Sequence, residues 1–182
     1  RRMRMRSFKV FGQEDDRTLI HGLLHITIIG ATNLPNLDGL RGLENLETVD
    51  RFVPKFITNN KSDPYVVISA DDNKILAKTS LKIDDLNPIW NETFYTPVAH
   101  YIKGITLSVE DKNIMGTSEL IGKTFVPVDD LVKFDETTRM QMRVGLHKVA
   151  ALSNGKEGSK SRGELEFFLE LIPKDLLYDG LC

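Results

Sequence analysis

The chain has 182 residues, 24 Lys+Arg against 26 Asp+Glu, one Cys and 41% apolar residues. That is the length of one domain with a buried core. A net charge of −2 excludes nucleic-acid binding by a bulk positive field, and the lone Cys182 excludes a disulfide framework or a cysteine-based zinc site.

No apolar run approaches the ~20 residues that span a bilayer, and no secretory signal is visible. The expectation is a soluble domain of a reducing compartment, cytoplasmic and peripheral to membrane, with an organellar address as the alternative. The chain opens at Arg1 rather than Met, as a processed product or fragment would. Residues 1–19 read as a basic arm. Arg1, Arg2, Arg4, Arg6, Lys9 and Arg17 stand against Glu14, Asp15 and Asp16, six positive minus three negative, or +3. Such an arm suits a solvated terminus, a contact with acidic membrane, or the remnant of an organelle-targeting segment.

The body of the domain, residues 20–173, reads as many short strands. Leu24, Ile26 and Ile28 alternate with His25, Thr27 and Ile29, as in a half-buried strand. Further strands are expected over 65–70, 75–81, 91–98, 105–110, 120–126, 139–146 and 164–172. In the last, Leu165, Phe167, Leu169 and Leu171 share one face. Asn, Asp, Gly and Pro clusters separate these segments. The fold class is all-β, an eight-stranded antiparallel sandwich. No strand alternates with a long helix, which excludes a doubly wound α/β fold.

Two stretches break the pattern. Leu40, Leu43, Leu46 and Val49 recur at helical spacing, which predicts a short helix over 40–56 in an insertion of about 39–61. Val128, Leu131 and Val132 predict a helical turn over 128–134. Residues 153–162 (SNGKEGSKSR) read as a flexible loop, and residues 174–182 as a tail.

Carboxylates gather at strand ends. Asp38 follows the first strand, Asp63 directly precedes the second, and Asp111, Asn113 and Glu119 occupy one loop. In a sandwich these loops can meet at one end. Oxygen donors of this kind suit calcium, which takes 6–8 of them; the same residues also serve as simple turn formers. An EF-hand is excluded, because Met115 fills the fifth loop position and Gly122 the twelfth, where Glu is required.

Ser62-Asp63-Pro64-Tyr65-Val66, Asn87-Pro88-Ile89-Trp90-Asn91-Glu92-Thr93-Phe94, and the run from Val109 to Gly122 that ends in Ile121-Gly122 resemble, in order, segments of the C2 domain. Pro97-Val98-Ala99-His100-Tyr101, Leu120-Ile121-Gly122 and Val126-Pro127-Val128 resemble the branch found at the N-terminus of plant-type phospholipase D. The resemblance covers residues 20–173. It implies a calcium-dependent phospholipid-binding module. Its ligands for Ca2+ would be Asp38, Asp63, Asp111, Asn113 and Glu119. Asn113 stands where strong binders carry Asp and adds no charge; Glu119 replaces an Asp; and 24 residues separate Asp38 from Asp63. These departures imply weaker calcium binding. The strand at 163–173, coming last, implies the circularly permuted phospholipase-type topology.

Ile114 and Met115, at the tip of the third loop, would dip into lipid or fold back on the insertion. Lys74, Lys78 and Lys82 share one face at period two and would hold anionic headgroups, each worth about 1 kcal/mol near such a surface, or simply form a solvated strand face. The chain carries no catalytic signature. Gly116 lies one position too far from Gly122-Lys123-Thr124 for a phosphate loop, no His begins His-x-Lys-x4-Asp, and no Gly-x-Ser-x-Gly elbow exists. Three functions follow: a calcium-responsive module that recruits its chain or partners to anionic phospholipid membrane; a structural adapter holding protein partners through the insertion and the basic arm; and the regulatory fragment of a phospholipase D.

Overall fold

The computed structural model describes residues 20–37, 61–70, 74–99, 102–112, 117–135, 140–155 and 160–173. The basic arm, the helix expected over 40–56, His100 and the tail lie outside these residues, as do Asp38, Asn113, Ile114 and Met115.

Among the described residues, ten strands follow in chain order: β1 (Ile20–Thr32), β2 (Pro64–Ala70), β3 (Ile75–Lys78), β4 (Ile89–Ala99), β5 (Gly104–Lys112), β6 (Ser118–Pro127), β7 (Val132–Asp135), β8 (Met140–Arg143), β9 (Gly145–Ala151) and β10 (Glu164–Pro173). One sheet has the order β4-β1-β10-β9 and the other β3-β2-β5-β6, with every pairing antiparallel. β7 and β8 form a separate hairpin. The last long strand lies beside the first, as the permuted topology requires.

Period-two alternation builds the core. Leu24, Ile26 and Ile28 of β1 and Leu165, Phe167, Leu169 and Leu171 of β10 turn inward. From the facing sheet come Val66 and Ile68 of β2, Ile105, Leu107 and Val109 of β5, and Ile121 and Val126 of β6. Each such burial contributes about 1.5–3 kcal/mol.

The Asn87–Glu92 segment stitches the two sheets together. Asn87 Oδ1 accepts from Asn33 N (2.8 Å) and Pro88 O from Ala31 N (2.9 Å). Trp90 lies in the core and its Nε1 donates to Ser80 O (2.9 Å), while the Glu92 carboxylate accepts from Ser80 N. At the opposite side, Lys123 and Ser153 exchange backbone bonds of 2.8 and 3.1 Å.

Several expectations are corrected. β3 ends at Lys78, not at 81, because Thr79 turns inward and its Oγ1 accepts from Val66 N (2.8 Å). Lys82 therefore lies beyond the strand. The turn at Val128–Asp130 is a single 3-10 turn, and Val132–Asp135 is strand, since pairing with β8 overrides local helical spacing. The strand expected over 139–146 is split between β8, in the hairpin, and β9, which pairs with β10. The loop at 153–162 is pinned at both ends: Ser153 pairs with Lys123, and Arg162 N donates to Leu152 O (2.9 Å).

Candidate functional site

Three adjacent strands of the second sheet bring acidic residues to one end. β2 starts where β5 finishes, with Pro64 opposite Asp111. β6 starts beside that same point, with Glu119 opposite Asp111. Asp63, one residue before β2, Asp111 and Glu119 are thus held together by register alone.

Asp111 is the centre of this arrangement. It continues the inward phase of Ile105, Leu107 and Val109, so its side chain enters the end of the sandwich and is fully buried. Its Oδ1 accepts from Asp63 N (2.7 Å), and Lys112 N donates to Asp63 O (3.0 Å). Its Oδ2 is sealed from water without a hydrogen-bond partner among the described residues. A buried carboxylate oxygen without a donor is costly. A cation is one partner that would remove that cost.

The loop between β3 and β4 adds a second layer. Asp84 adopts a left-handed backbone (φ 54°) that aims its N–H at Asp63 Oδ1 (2.8 Å), and its own Oδ1 accepts from Lys61 N (2.9 Å). Asp85 N donates to Ser62 O (3.3 Å). The buried Ser62 hydroxyl accepts from Leu37 N (2.8 Å), which anchors the chain just before Asp38. Asp84 and Asp85 were not singled out from the sequence; their signal was a pair of acids directly before Leu86-Asn87-Pro88.

Of the five expected ligands, the structure brings Asp63, Asp111 and Glu119 to one end, while Asp38 and Asn113 fall outside the described residues. Among the described residues, no three His, Cys, Asp or Glu side chains form a ready metal cluster. The donors at hand are all oxygen, the chemistry a hard cation takes.

A polar network occupies the outer face of the same sheet end. Tyr65 hydroxyl donates to Glu110 Oε2 and shares a 2.8 Å bond with Ser118 Oγ. Burial, and after it the bond to Glu110, raise the phenol above its ordinary pKa. Lys78 Nζ lies 5.5 Å from the Tyr65 ring centroid, in cation–π range. Lys74 is exposed and Lys82 half-buried; Lys82 N donates to Pro64 O (3.0 Å). Lys74 and Lys78 flank the ends of β3, and Lys82 lies beyond it.

Comparison with known proteins agrees with this architecture. Residues 22–144 match the family model of the C2 domain. The chain is 36% identical over 121 residues to phospholipase D beta 2 of Arabidopsis thaliana, covering 62% of this chain and 12% of that protein. It is 28% identical over 152 residues to phospholipase D alpha 1 of Nicotiana tabacum, covering 82% of this chain and 18% of the relative. The chain therefore spans under a fifth of the length of either relative. Among solved structures it is similar to a single C2 domain of plant Extended Synaptotagmin 1, with 25% identity and a TM-score of 0.57 over 83% of this chain and 94% of that one. It also shares its fold with the calcium-bound tandem C2 domains of Extended-Synaptotagmin 2, with 20% identity and a TM-score of 0.57 over 86% of this chain and 47% of that one.

Proposed function

The chain belongs to the C2 domain family, and from that premise we propose that it is a calcium-dependent module that recruits its own chain or a partner to anionic phospholipid membrane. The observation that supports this most is the fully buried Oδ2 of Asp111, which has no hydrogen-bond partner among the described residues. Asp63, Asp111 and Glu119 would hold Ca2+ together with Asp38 and Asn113. Bound there, the ion would supply a positive charge that offsets the acidic loops and attracts lipid phosphate.

The chain's own residues do the rest. The Asp63–Asp84–Lys61 bonds hold the two loops in register before any ion arrives. Lys74 and Lys78 add attraction to an anionic surface, which salt screens. Ile114 and Met115 enter the acyl boundary, for up to a few kcal/mol at roughly 25 cal/mol per Å². The role is recruitment without catalysis, on the cytoplasmic side and peripheral to membrane; among the described residues no helix is long and apolar enough to cross one.

A second reading rests on the 36% identity to a phospholipase D of which this chain spans 12%: the module regulates a phospholipase D-like chain. The adapter function, with protein partners and no calcium, is the outcome that remains when calcium fails to bind. Isothermal titration of calcium into the chain and into Asp111→Asn tests the reading. Heat of binding in the parent and none in the variant is the result expected. No heat in either would end the calcium role and favour the adapter.

A further inference from the structure

The outer face of the first sheet holds a groove that the calcium function does not use. It has a volume of about 580 Å³ and lies where the end of β1 meets the Asn87–Ile89 turn, reaching across β10 to β9. Its apolar lining includes Ile29 and Pro88, with Ile89 66% and Val149 55% exposed on its flanks. Side chains this apolar and this open mark a contact surface when they are contiguous. The charged residues lining it are Glu164 and Glu166, and no Lys or Arg is among the lining residues. Glu166 also meets His147 Nε2 at 2.9 Å.

A surface that is apolar and negative suits a segment that interleaves apolar and cationic residues. One such segment is in this chain. Residues 1–11 carry Arg1, Arg2, Arg4, Arg6 and Lys9 among Met3, Met5, Phe8, Val10 and Phe11, with no acid. The reach is adequate. The groove lies about ten residues along β1 from Ile20, roughly 33 Å at 3.3 Å per residue. The 14 residues from Arg6 to Ile20 span up to about 48 Å when extended, so the part of the arm that reaches the groove is Arg1–Arg6. We propose that the chain's own residues 1–6 dock in this groove, Arg side chains toward Glu164 and Glu166 and Met3 and Met5 against Ile29, Ile89 and Val149. Docked, the arm withholds its cations from an anionic surface, so the groove regulates where that charge acts. The inference stands independently of calcium binding.

Paramagnetic relaxation in the full chain tests it. A nitroxide at Met5→Cys, in a Cys182→Ser background and without lipid, is read at the methyl groups of Ile29, Ile89 and Val149. These signals lose most of their intensity if the arm docks. Arg2→Glu, Arg4→Glu and Arg6→Glu together, which alter no residue of the sandwich, restore them, as does Glu164→Lys with Glu166→Lys. Full intensity in the parent overturns the proposal. So does a loss that persists in both charge-reversed proteins. A loss seen only between spin-labelled and isotope-labelled copies in a mixture assigns the groove to a second molecule and overturns docking within one chain.

Discussion

A carboxylate oxygen that is sealed from water and has no hydrogen-bond partner destabilises a fold, and among the described residues Asp111 Oδ2 is in that situation, held there by the strand phase that buries Val109 and Leu107. Asp111→Asn keeps the acceptor for Asp63 N and removes a carboxylate from beside Asp63. In chelator, the variant is predicted to be more stable than the parent by about 1 kcal/mol, read as a higher midpoint in urea. In calcium the order reverses, because an ion at 100 times its Kd stabilises the parent by about 2.7 kcal/mol and leaves the variant unchanged. A variant that loses stability in chelator would show that the buried carboxylate is no liability to the ion-free fold. Tyr65 makes a second prediction. Its phenol is raised by burial and by the bond to Glu110, so the neutral form is the one the fold favours. The stabilisation is complete below the ordinary value of about 10 and is lost as pH rises through the raised folded value. Absorbance at alkaline pH should show one tyrosine ionising after the others, and Tyr65→Phe should abolish that late step while costing about 1–2 kcal/mol of stability at neutral pH. Part of this residue-level picture was legible in advance. The motif resemblance named Asp63, Asp111 and Glu119, but Asp111 was expected in a loop, whereas β5 continues through it in the inward phase of Ile105, Leu107 and Val109. The Asp84 bond was not legible, because it depends on a left-handed residue in a turn whose sequence, Lys82-Ile83-Asp84-Asp85, admits several conformations.

Elements in this fold are decided by pairing more than by local pattern. β1 and β10 alternate cleanly and were readable as strands, because each has one face in the core and the other outside it. The helical turn expected over 128–134 is present only at Val128–Asp130, because the backbone bonds of Val132–Asp135 are met by β8 although Leu131 and Val132 satisfy helical spacing. The split between β8 and β9 was invisible for the same reason, since both halves are strand-like and only their partners differ. Close backbone approach governs the turn into β10. Gly163 has φ +91°, and a Cβ there would lie 2.6 Å from Thr32 O and 2.8 Å from Asn33 O. Gly163→Ala should therefore destabilise the domain by about 1–3 kcal/mol, with thermal unfolding as the readout. A loss of only a few tenths would mean that the end of β1 yields to the added methyl. At the Asn87–Glu92 segment, Trp90→Phe keeps most of the apolar volume and removes the donor to Ser80 O. A cost of about 1 kcal/mol is expected, since the core contact survives and one cross-sheet hydrogen bond does not.

At the scale of the whole molecule, the sandwich separates its surfaces. One end of the second sheet gathers Asp63, Asp111 and Glu119, with Asp84 tied to them; the neighbouring outer surface carries Lys78 over Tyr65; and the outer face of the first sheet holds the acidic, apolar groove. The net charge of −2 gives the molecule no general affinity for an acidic bilayer, so attraction has to be local, and in the proposed function a calcium ion at the acidic end would supply it. The composition and the three motif blocks were enough to reach the C2 sandwich, because that fold imposes its strand order and its motifs sit at strand ends. The acidic rim of the groove was not readable as such, since Glu164 and Glu166 look like ordinary outward residues of β10 until the bulge in β1 and the Pro88 turn are placed beside them. The central claim is calcium-dependent attachment to lipid, and the measurement that meets it most directly is co-sedimentation of the chain with phosphatidylserine-containing vesicles, in calcium and in EGTA, beside a variant carrying Asp63→Asn and Asp111→Asn. The parent should pellet with vesicles in calcium only, and the variant should stay in the supernatant throughout; equal pelleting of parent and variant, or none in calcium, would contradict calcium-dependent attachment.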